Sequence, residues 1–557
     1  GTLSQQAATR DWTVQIDAIA AGRPVQFRGQ IQNAGPEAAS QLDVSVDRLP
    51  INDQLLQAVS PATRLSLEAL ALRGAVDLRA RIVRPPGTNR KPTTTLNGRL
   101  VQASVRFDKF PWPINEISGD FQATIQPNQY DWTFGKLNGH HRHASVNGSA
   151  HFDGQPGQPR HFALDLDVQH VNLDDQLRNA CSKELADLWD RIHPSGSLDG
   201  RIEFRRENTE PVQITIPHFT IDRGILQLTA FPYKLTNVHA SGHYGLTDDN
   251  HRRLTLNSLA AQHGETRITT GGILEIDNRK DWMIRLESLA CNKLVANNDL
   301  LQALPPRLRQ TLIGLNPQGP FHVGGLIELR GAGEPGFPIT AAWNLETRLP
   351  GNQLSAGVQL KHVAGRITSR GKWYGQHAEM TGNFALDSAT LWGYRFQDIR
   401  GPFHYRNHDL VIGSSQAFAP KRTRRDNLNI PLQERVTARA VDGLFTLDAQ
   451  ARIDELSHYH VKMNMSEGKL EQFAKLYLKD PRKLKGLMRG WVDLRGRGNS
   501  PADVVGRGQL QVSPAELYQL PIIVQLFDVL SLGPQQPTAF RYAQCDFQVA
   551  QSRIQFN

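Results

Sequence analysis

The sequence predicts an all-β fold with short helical inserts, drawn out as an elongated, twisted, open antiparallel β-groove built from repeats. Three observations carry this prediction. Long stretches alternate apolar with polar residues, the same pattern returns about every 120 residues, and a sheet with one apolar face must cover or fill that face.

The alternation comes first. Val76, Leu78, Ala80 and Ile82 fall on one side of a strand, with Asp77, Arg79 and Arg81 on the other. Leu164, Leu166 and Val168 oppose Asp165, Asp167 and Gln169, and Leu254 and Leu256 oppose Thr255 and Asn257. Period two places one residue set on each face of a pleated strand. Asp153-Gly154, Asn138-Gly139 and Asp442-Gly443 read as hairpin turns between such runs.

The recurrence comes second. An alternating strand, a Leu-rich insert and a strand opened by glycine occur four times. The opening glycines Gly74, Gly196, Gly319 and Gly490 stand 122, 123 and 171 residues apart. Between them a second motif recurs. Phe110-Pro111-Trp112 leads to Gly119, Phe231-Pro232-Tyr233 leads to Gly242, and a looser copy runs from Gly393-Tyr394 to Gly401. The segments on this reading are an incomplete β segment at 1–40 and groove repeats at 41–160 and 161–281. A third repeat with extra strands follows at 282–459, and a C-terminal region at 460–557. The inserts read as helices with one apolar stripe, such as Leu177, Cys181, Leu185, Leu188 and Ile192. Leu470, Phe473, Leu476 and Tyr477 form another. Each stripe is expected to lie over the groove or its rim, with Leu185 and Leu476 in apolar surroundings.

Composition supports the third argument. The chain has 557 residues, 39% hydrophobic and 7% aromatic, with 46 Gly and 32 Pro spread along it. That apolar content excludes a disordered chain, and the length exceeds what one core supports. At roughly 10–14 residues per strand and turn, about 35–45 strands are expected. Stacked at about 4.8 Å, they would span on the order of 150–200 Å. Large aromatics are too few to fill a closed interior of that length, which leaves an apolar trough with a wet exterior. The predicted lining is Val76, Leu78, Leu164, Leu166, Leu254, Leu256, Ile327 and Leu329.

Signatures of chemistry are sparse. The sequence has no HExxH, GxSxG or dinucleotide fingerprint. Gly365 to Gly371-Lys372 has one residue too many for a phosphate loop, and Trp373 replaces the needed hydroxyl. His141 and His143 would share a strand face, but without carboxylate or thiolate nearby they read as solvated residues rather than metal ligands. Asp174-Asp175 and Asp248-Asp249 read as a helix start and a turn. The three cysteines, Cys181, Cys291 and Cys545, form no disulfide framework. No enzyme, cofactor or metal is therefore expected. The net charge is +9. Lys475, Lys479, Arg482, Lys483, Lys485 and Arg489 crowd around the fourth insert, and Lys421, Arg422, Arg424 and Arg425 form a second cluster. The first cluster is the candidate contact for a membrane or a lipid headgroup. Aromatics are not interleaved with these charges, so nucleic acid is not expected as a partner.

The C-terminal stretch carries a family resemblance. Leu520-Pro521-Ile522-Ile523 opens a short apolar helix ending near Leu530-Ser531-Leu532-Gly533. Thr538-Ala539-Phe540, Asp546-Phe547-Gln548-Val549 and Ile554-Gln555-Phe556 follow. This resembles the closing region of bacterial AsmA-like proteins, and the glycine-opened strands resemble that family's repeated β-groove units. The resemblance implies kinship with bridge-like lipid-transfer proteins of the cell envelope. Such a protein would be anchored in the inner membrane and reach through the periplasm towards the outer membrane. Phospholipids or other acyl lipids, and outer-membrane components, would be its partners. The sequence has no run of about 18 apolar residues. It begins at Gly1 and stops at Asn557 in an apparent strand, Phe547 to Phe556. A fragment is therefore expected, with the anchor outside it. The expected function is to hold or conduct phospholipids along the groove. The alternatives are a non-catalytic assembly factor for outer-membrane proteins, using exposed β edges, and a repetitive surface adhesin built of solid sandwiches.

Overall fold

The computed structural model describes the chain apart from residues 6–9, 59–67, 69–70, 334–337, 356–358, 419–429, 453–457, 476–484, 499–500 and 517–541, and the single positions 109, 157, 230, 376, 392 and 557. The described residues form 29 strands, and the pairings within each unit are antiparallel. The chain divides into two compact units, Gly1–Gln262 and His263–Asn557.

The first unit is a meander in which each strand pairs with the next in sequence. Its strands are β1 (Thr2–Gln5), β2 (Trp12–Ala20), β3 (Arg23–Gln32), β4 (Ala39–Ile51), β5 (Arg73–Arg84), β6 (Thr93–Phe107) and β7 (Phe110–Gln126). They continue as β8 (Gln129–His141), β9 (Ala144–Gln155), β10 (Gln158–Asn172), β11 (Ser195–Glu207), β12 (Gln213–Leu228), β13 (Phe231–Leu246) and β14 (Arg252–His263). Helix α1 (Asp53–Ala58) joins β4 to β5. Helices α2 (Asp175–Ala180) and α3 (Lys183–Ile192) join β10 to β11.

The second unit repeats the plan. It holds β15 (Thr266–Ile276), β16 (Trp282–Leu294), β17 (Phe321–Gly331), β18 (Thr340–Ser355), β19 (Gln359–Tyr374), β20 (His377–Leu391) and β21 (Tyr394–Arg406). Then come β22 (Asp409–Ile412), β23 (Val436–Ala440), β24 (Gly443–Arg452), β25 (His458–Lys469), β26 (Lys485–Arg497), β27 (Val505–Glu516), β28 (Ala543–Ala550) and β29 (Arg553–Phe556). Helices α4 (Asn298–Ala303) and α5 (Pro306–Leu315) join β16 to β17, and α6 (Leu470–Ala474) follows β25. Both β22 and β23 pair with β21 and with β24, so the two occupy one lane of the sheet.

In chain order the helices follow β4, β10, β16 and β25. Six strands separate the first from the second and the second from the third. Counting β22 and β23 as one lane, the last interval is eight. An even number returns the chain to the same end of the strands, so within each unit the helices sit at one end and plain hairpins close the other. The 122- and 123-residue spacings are this six-strand interval. The strand count falls below the expected 35–45 because strands reach 17 residues, as in β7.

The glycine that opens the post-helix strand has a structural cause. Gly74, Gly196 and Gly319 have φ of +118°, +127° and +89°, a region that strains residues with a Cβ. Gly74 and Gly196 are each the second residue of a strand and sit at a register shift. In β26 that position belongs to Gly486, with φ +154°. Gly490, the expected equivalent, lies in mid-strand opposite Met465 and Leu510.

Several local expectations are corrected. The helical stripe over 177–192 is broken in two. Cys181 leaves helical geometry at ψ 158°, and the Ser182 side chain caps α3 by accepting from the Leu185 amide. Leu185 is 51% exposed rather than in apolar surroundings. Leu476 and Tyr477 lie outside the described residues. Asn138-Gly139 lies inside β8, where the missing Cβ of Gly139 admits Ile114 and Ile117 of β7. Asp153-Gly154 lies near the end of β9, whereas Asp442 does turn the chain between β23 and β24. The apparent strand 547–556 is a hairpin, turned by Gln551 and Ser552 at φ 52° and 58°.

Candidate functional site

The registers settle which residues share a face. In the first unit one cross-strand row runs Ala18, Val25, Val46, Leu78, Gly98, Phe121, Phe134, Ala150, Leu164, Phe204 and Ile214, one residue from each of β2 to β12. The adjacent row on the other face is polar at most positions. It includes Asp17, Gln26, Ser45, Arg79, Asn97, Gln122 and Thr133. Val76, Leu78, Leu164, Leu166, Leu254 and Leu256 all lie on the apolar face of this unit. Leu254 joins it through Tyr244, which pairs with Ile216. In the second unit Ile327 and Leu329 share the corresponding face with Leu286, Ile284, Trp343 and Ala341.

This face is packed only in part: Val25, Val46 and Phe121 of the row are buried, with Leu78, Trp132 and Phe134 against them. Val76 is 8% exposed, but the other seven predicted lining residues are only half-buried. The whole chain exposes 35541 Å². Two compact units of half its mass would together expose about 24,000 Å². Strands whose two faces both meet solvent contribute to this excess.

Burial is concentrated where the helices sit. In the first unit Val46, Leu49, Ile51 and Val76 cluster beside α1, with Leu55 against them. Trp112 packs with Ala144, Val146, Val168, Val171 and Ala180 of α2. In the second unit Met488 is fully buried among Val512, Met465 and Leu470, and Val363 among Phe321, Leu349 and Leu386. Backbone bulges mark the same ends. Arg48, Glu116, His170 and Arg223 adopt left-handed φ of 50–57° there, which bends a strand and strengthens its twist.

The floor of the apolar face is tiled by rings. A Cβ on Gly98 would collide with the Phe121 ring, and one on Gly242 would lie 2.9 Å from Phe219. In the second unit Trp343 covers Gly371 and Phe403 covers Gly382 in the same way. Across β8 and β9, Trp132, Phe134 and Phe152 have ring centres 6.0–6.1 Å apart and planes within 11–19° of one another. Rings lying flat over neighbouring glycines give a shallow, continuous surface. In a packed sandwich, side chains stand up and interdigitate.

Other candidates resolve into structure. His141 is buried, stacks on Trp112 at 4.3 Å, and donates from Nδ1 to the Pro113 carbonyl at 2.7 Å. His143 is in the turn after it, so the two do not share a strand face, and His141 is not solvated. The Asp174 carboxylate caps α2, accepting from the amides of Gln176 and Leu177 at 3.0 Å. Asp248 and Asp249 form a turn, and Gly365 to Lys372 is part of β19. No metal-holding group of three or more His, Cys, Asp or Glu occurs among the described residues. All three cysteines are free, and burial pushes the Cys291 thiol up to about 11. Lys475, Lys485 and Arg489 are exposed. Lys479, Arg482, Lys483, Lys421, Arg422, Arg424 and Arg425 lie outside the described residues, as do 520–533 and 538–540. No described helix is long and apolar enough to cross a membrane.

One polar cluster escapes the sequence pattern. Asp448 of β24 is fully buried. Its carboxylate accepts from Arg435 at 2.5 and 2.7 Å and from the Ser414 amide at 2.9 Å. Nearby, His460 meets Asp493 at 2.6 Å and sits edge-to-face with Phe418, while Lys462 donates to the Ala417 carbonyl at 2.8 Å. These bonds fasten the 3-10 turn Ser415–Phe418 onto the otherwise polar face of β24 to β26. A depression of about 480 Å³ at the helix-bearing end of β11 is lined by polar groups, among them Asp174, Asp222 and Arg223. Neither feature lies on the apolar face. Comparison of the chain with protein-family models, curated proteins and solved structures finds no significant match.

Proposed function

We propose that this chain holds or conducts phospholipids or other acyl lipids along the apolar face of its sheet, in the manner of an AsmA-like envelope protein. The observation that carries the reading is the apolar row through β2 to β12, buried at Val25, Val46 and Phe121 and only partly covered elsewhere, backed by a largely polar row. Such a surface is costly to leave in water, and acyl chains fit it without a covalent step. Headgroups would stay in the solvent. The reading extends to placement in the periplasm between inner and outer membranes, with anchoring supplied from outside these residues.

Native mass spectrometry with lipid identification tests this directly, and copurified acyl lipid is the expected result. The double substitution Leu164→Asp and Leu166→Asp places carboxylates in the acyl path, where they are poorly solvated. Lost lipid loading with the strand signal retained supports conduction along this face. Global unfolding would favour a packed sandwich, and unchanged loading in a folded variant would remove these residues from the path.

A further inference from the structure

The two ends of each strand differ in their aromatics. At the helix-bearing end, the indole of Trp112 and the phenol of Tyr233 are 8% and 3% exposed, and the exposed rings there, Phe107, Phe110 and Phe473, have no polar tip. At the hairpin end the apolar face carries half-buried aromatics instead. In the first unit these include Trp12, which opens β2, Trp132 near the start of β8, and Tyr244 near the end of β13. In the second unit they include Trp282, which opens β16, Trp343 near the start of β18, and Trp373 near the end of β19. Registers hold each on the apolar face. Trp132 pairs with Ala123 and Phe152, Trp343 with Ile327 and Gly371, and Trp373 with Ala341 and Ala378. Indole and phenol rings have an apolar body and a polar tip, so they favour the boundary between hydrocarbon and water.

A cation stands at the same end. Arg206 is on the apolar face of β11, directly opposite Phe162 of β10. Its guanidinium lies 5.8 Å from the Phe162 ring centre, and its Nε is buried with no hydrogen-bond partner. The adjacent Glu207 is engaged by His161 at 3.0 Å. An unsatisfied donor on an apolar surface is destabilising unless something completes it. Nε itself is closed to a ligand, but the guanidinium's positive charge on an apolar face suits a phosphate oxygen, which forms charge-assisted bonds to such a fork.

We infer that the groove is polarised. Lipid phosphate sits at the hairpin end of the strands, on Arg206 in the first unit and at the Trp-lined boundary in both. The acyl chains lie inward over the ring-tiled floor, and the helix-bearing end stays closed. This rests on the lipid reading above and adds an orientation to it.

Two photoreactive phosphatidylglycerols test the inference on the full chain, one with a diazirine in the headgroup and one with it at the acyl terminus. Cross-linked peptides are mapped by mass spectrometry. The headgroup probe should label peptides holding Arg206, Trp343 or Trp373, and the tail probe should label inward positions such as Phe121 and Leu166. Headgroup labelling at Trp112 and Tyr233, or equally at both ends, overturns the orientation while leaving lipid binding intact. No labelling by either probe removes the lipid reading and the orientation together. Arg206→Gln should cut headgroup labelling in the first unit about tenfold, with labelling in the second unit unchanged as an internal control of folding, and Arg206→Lys should retain part of it. Unchanged labelling in Arg206→Gln removes Arg206 from the site. Excess inorganic phosphate should not displace the tail probe. Loss of headgroup labelling to phosphate, with no tail labelling at the start, would mark a free-phosphate site and overturn the proposal.

Discussion

The helix-bearing and hairpin ends of the same strands solve different problems. At the first, bulges bend the backbone, short helices cover the apolar face, and Trp112, Val363 and Met488 are buried. At the second, equally apolar strands end in partly buried rings and, at Arg206, a guanidinium whose Nε has no hydrogen-bond partner. Alternation alone thus does not decide burial. At the helix-bearing end, residues of the inserts such as Leu55, Ala180 and Leu470 add cover to the face.

The comparison can be broken by substitution. The largest effect is expected for Trp112→Ala, about 3–5 kcal/mol in denaturant unfolding, because a buried ring leaves a cavity under α2. Trp132→Ala should cost roughly half as much or less, since solvent already reaches that ring. Equal losses would mean that the two ends are packed alike. Next, Met488→Ala is expected to lose about 2–4 kcal/mol, and Leu494→Ala, further along β26, about 1 kcal/mol. Gly98→Ala should follow at about 1–3 kcal/mol, because its Cβ must displace the Phe121 ring. A neutral result would show that the floor is not tiled as described.

The smallest effect concerns pH. Unfolded, Cys291 ionises near its ordinary value of 9.0, and folded only near 11, because burial disfavours the thiolate. Folding therefore retains the proton. The contribution to stability is whole below pH 9 and is lost as pH rises to 11. Chemical denaturation across that window should show a decline that flattens in Cys291→Ala. An identical slope in both proteins would place Cys291 in water.

Much of the sheet was legible because period two survives wherever one face is wet. The residues chosen for the lining do share a face within each unit. The repeat was legible too, yet incompletely. Gly365 follows Gly242 by 123 residues and continues the series from Gly119, and unlike those two it has a positive φ, +131°, at a register shift. Glycine recurs in this chain for two reasons, positive φ and room for a neighbouring ring, and sequence does not separate them. Gly490 has neither, since its Cβ position faces the Gln509 carbonyl and Leu510, and the sequence alone does not tell it from Gly486. The Asp448–Arg435 pair was hidden because it joins residues on either side of a strand pairing that only the register reveals. The partly buried rings, by contrast, stand in phase in the sequence at Tyr130, Trp132 and Phe134.

The sequential meander has a kinetic consequence. Each strand needs only the strands before and after it, so the contacts that stabilise it are close in the chain. Folding can then start at any hairpin and spread by accretion, and ordering one segment does not wait for a distant one. Growth of such a chain over evolutionary time is limited by parity rather than by core volume. A hairpin can be added or lost as a pair of strands, as in the eight-strand interval before α6, whereas a single added strand would carry every later helix to the opposite end.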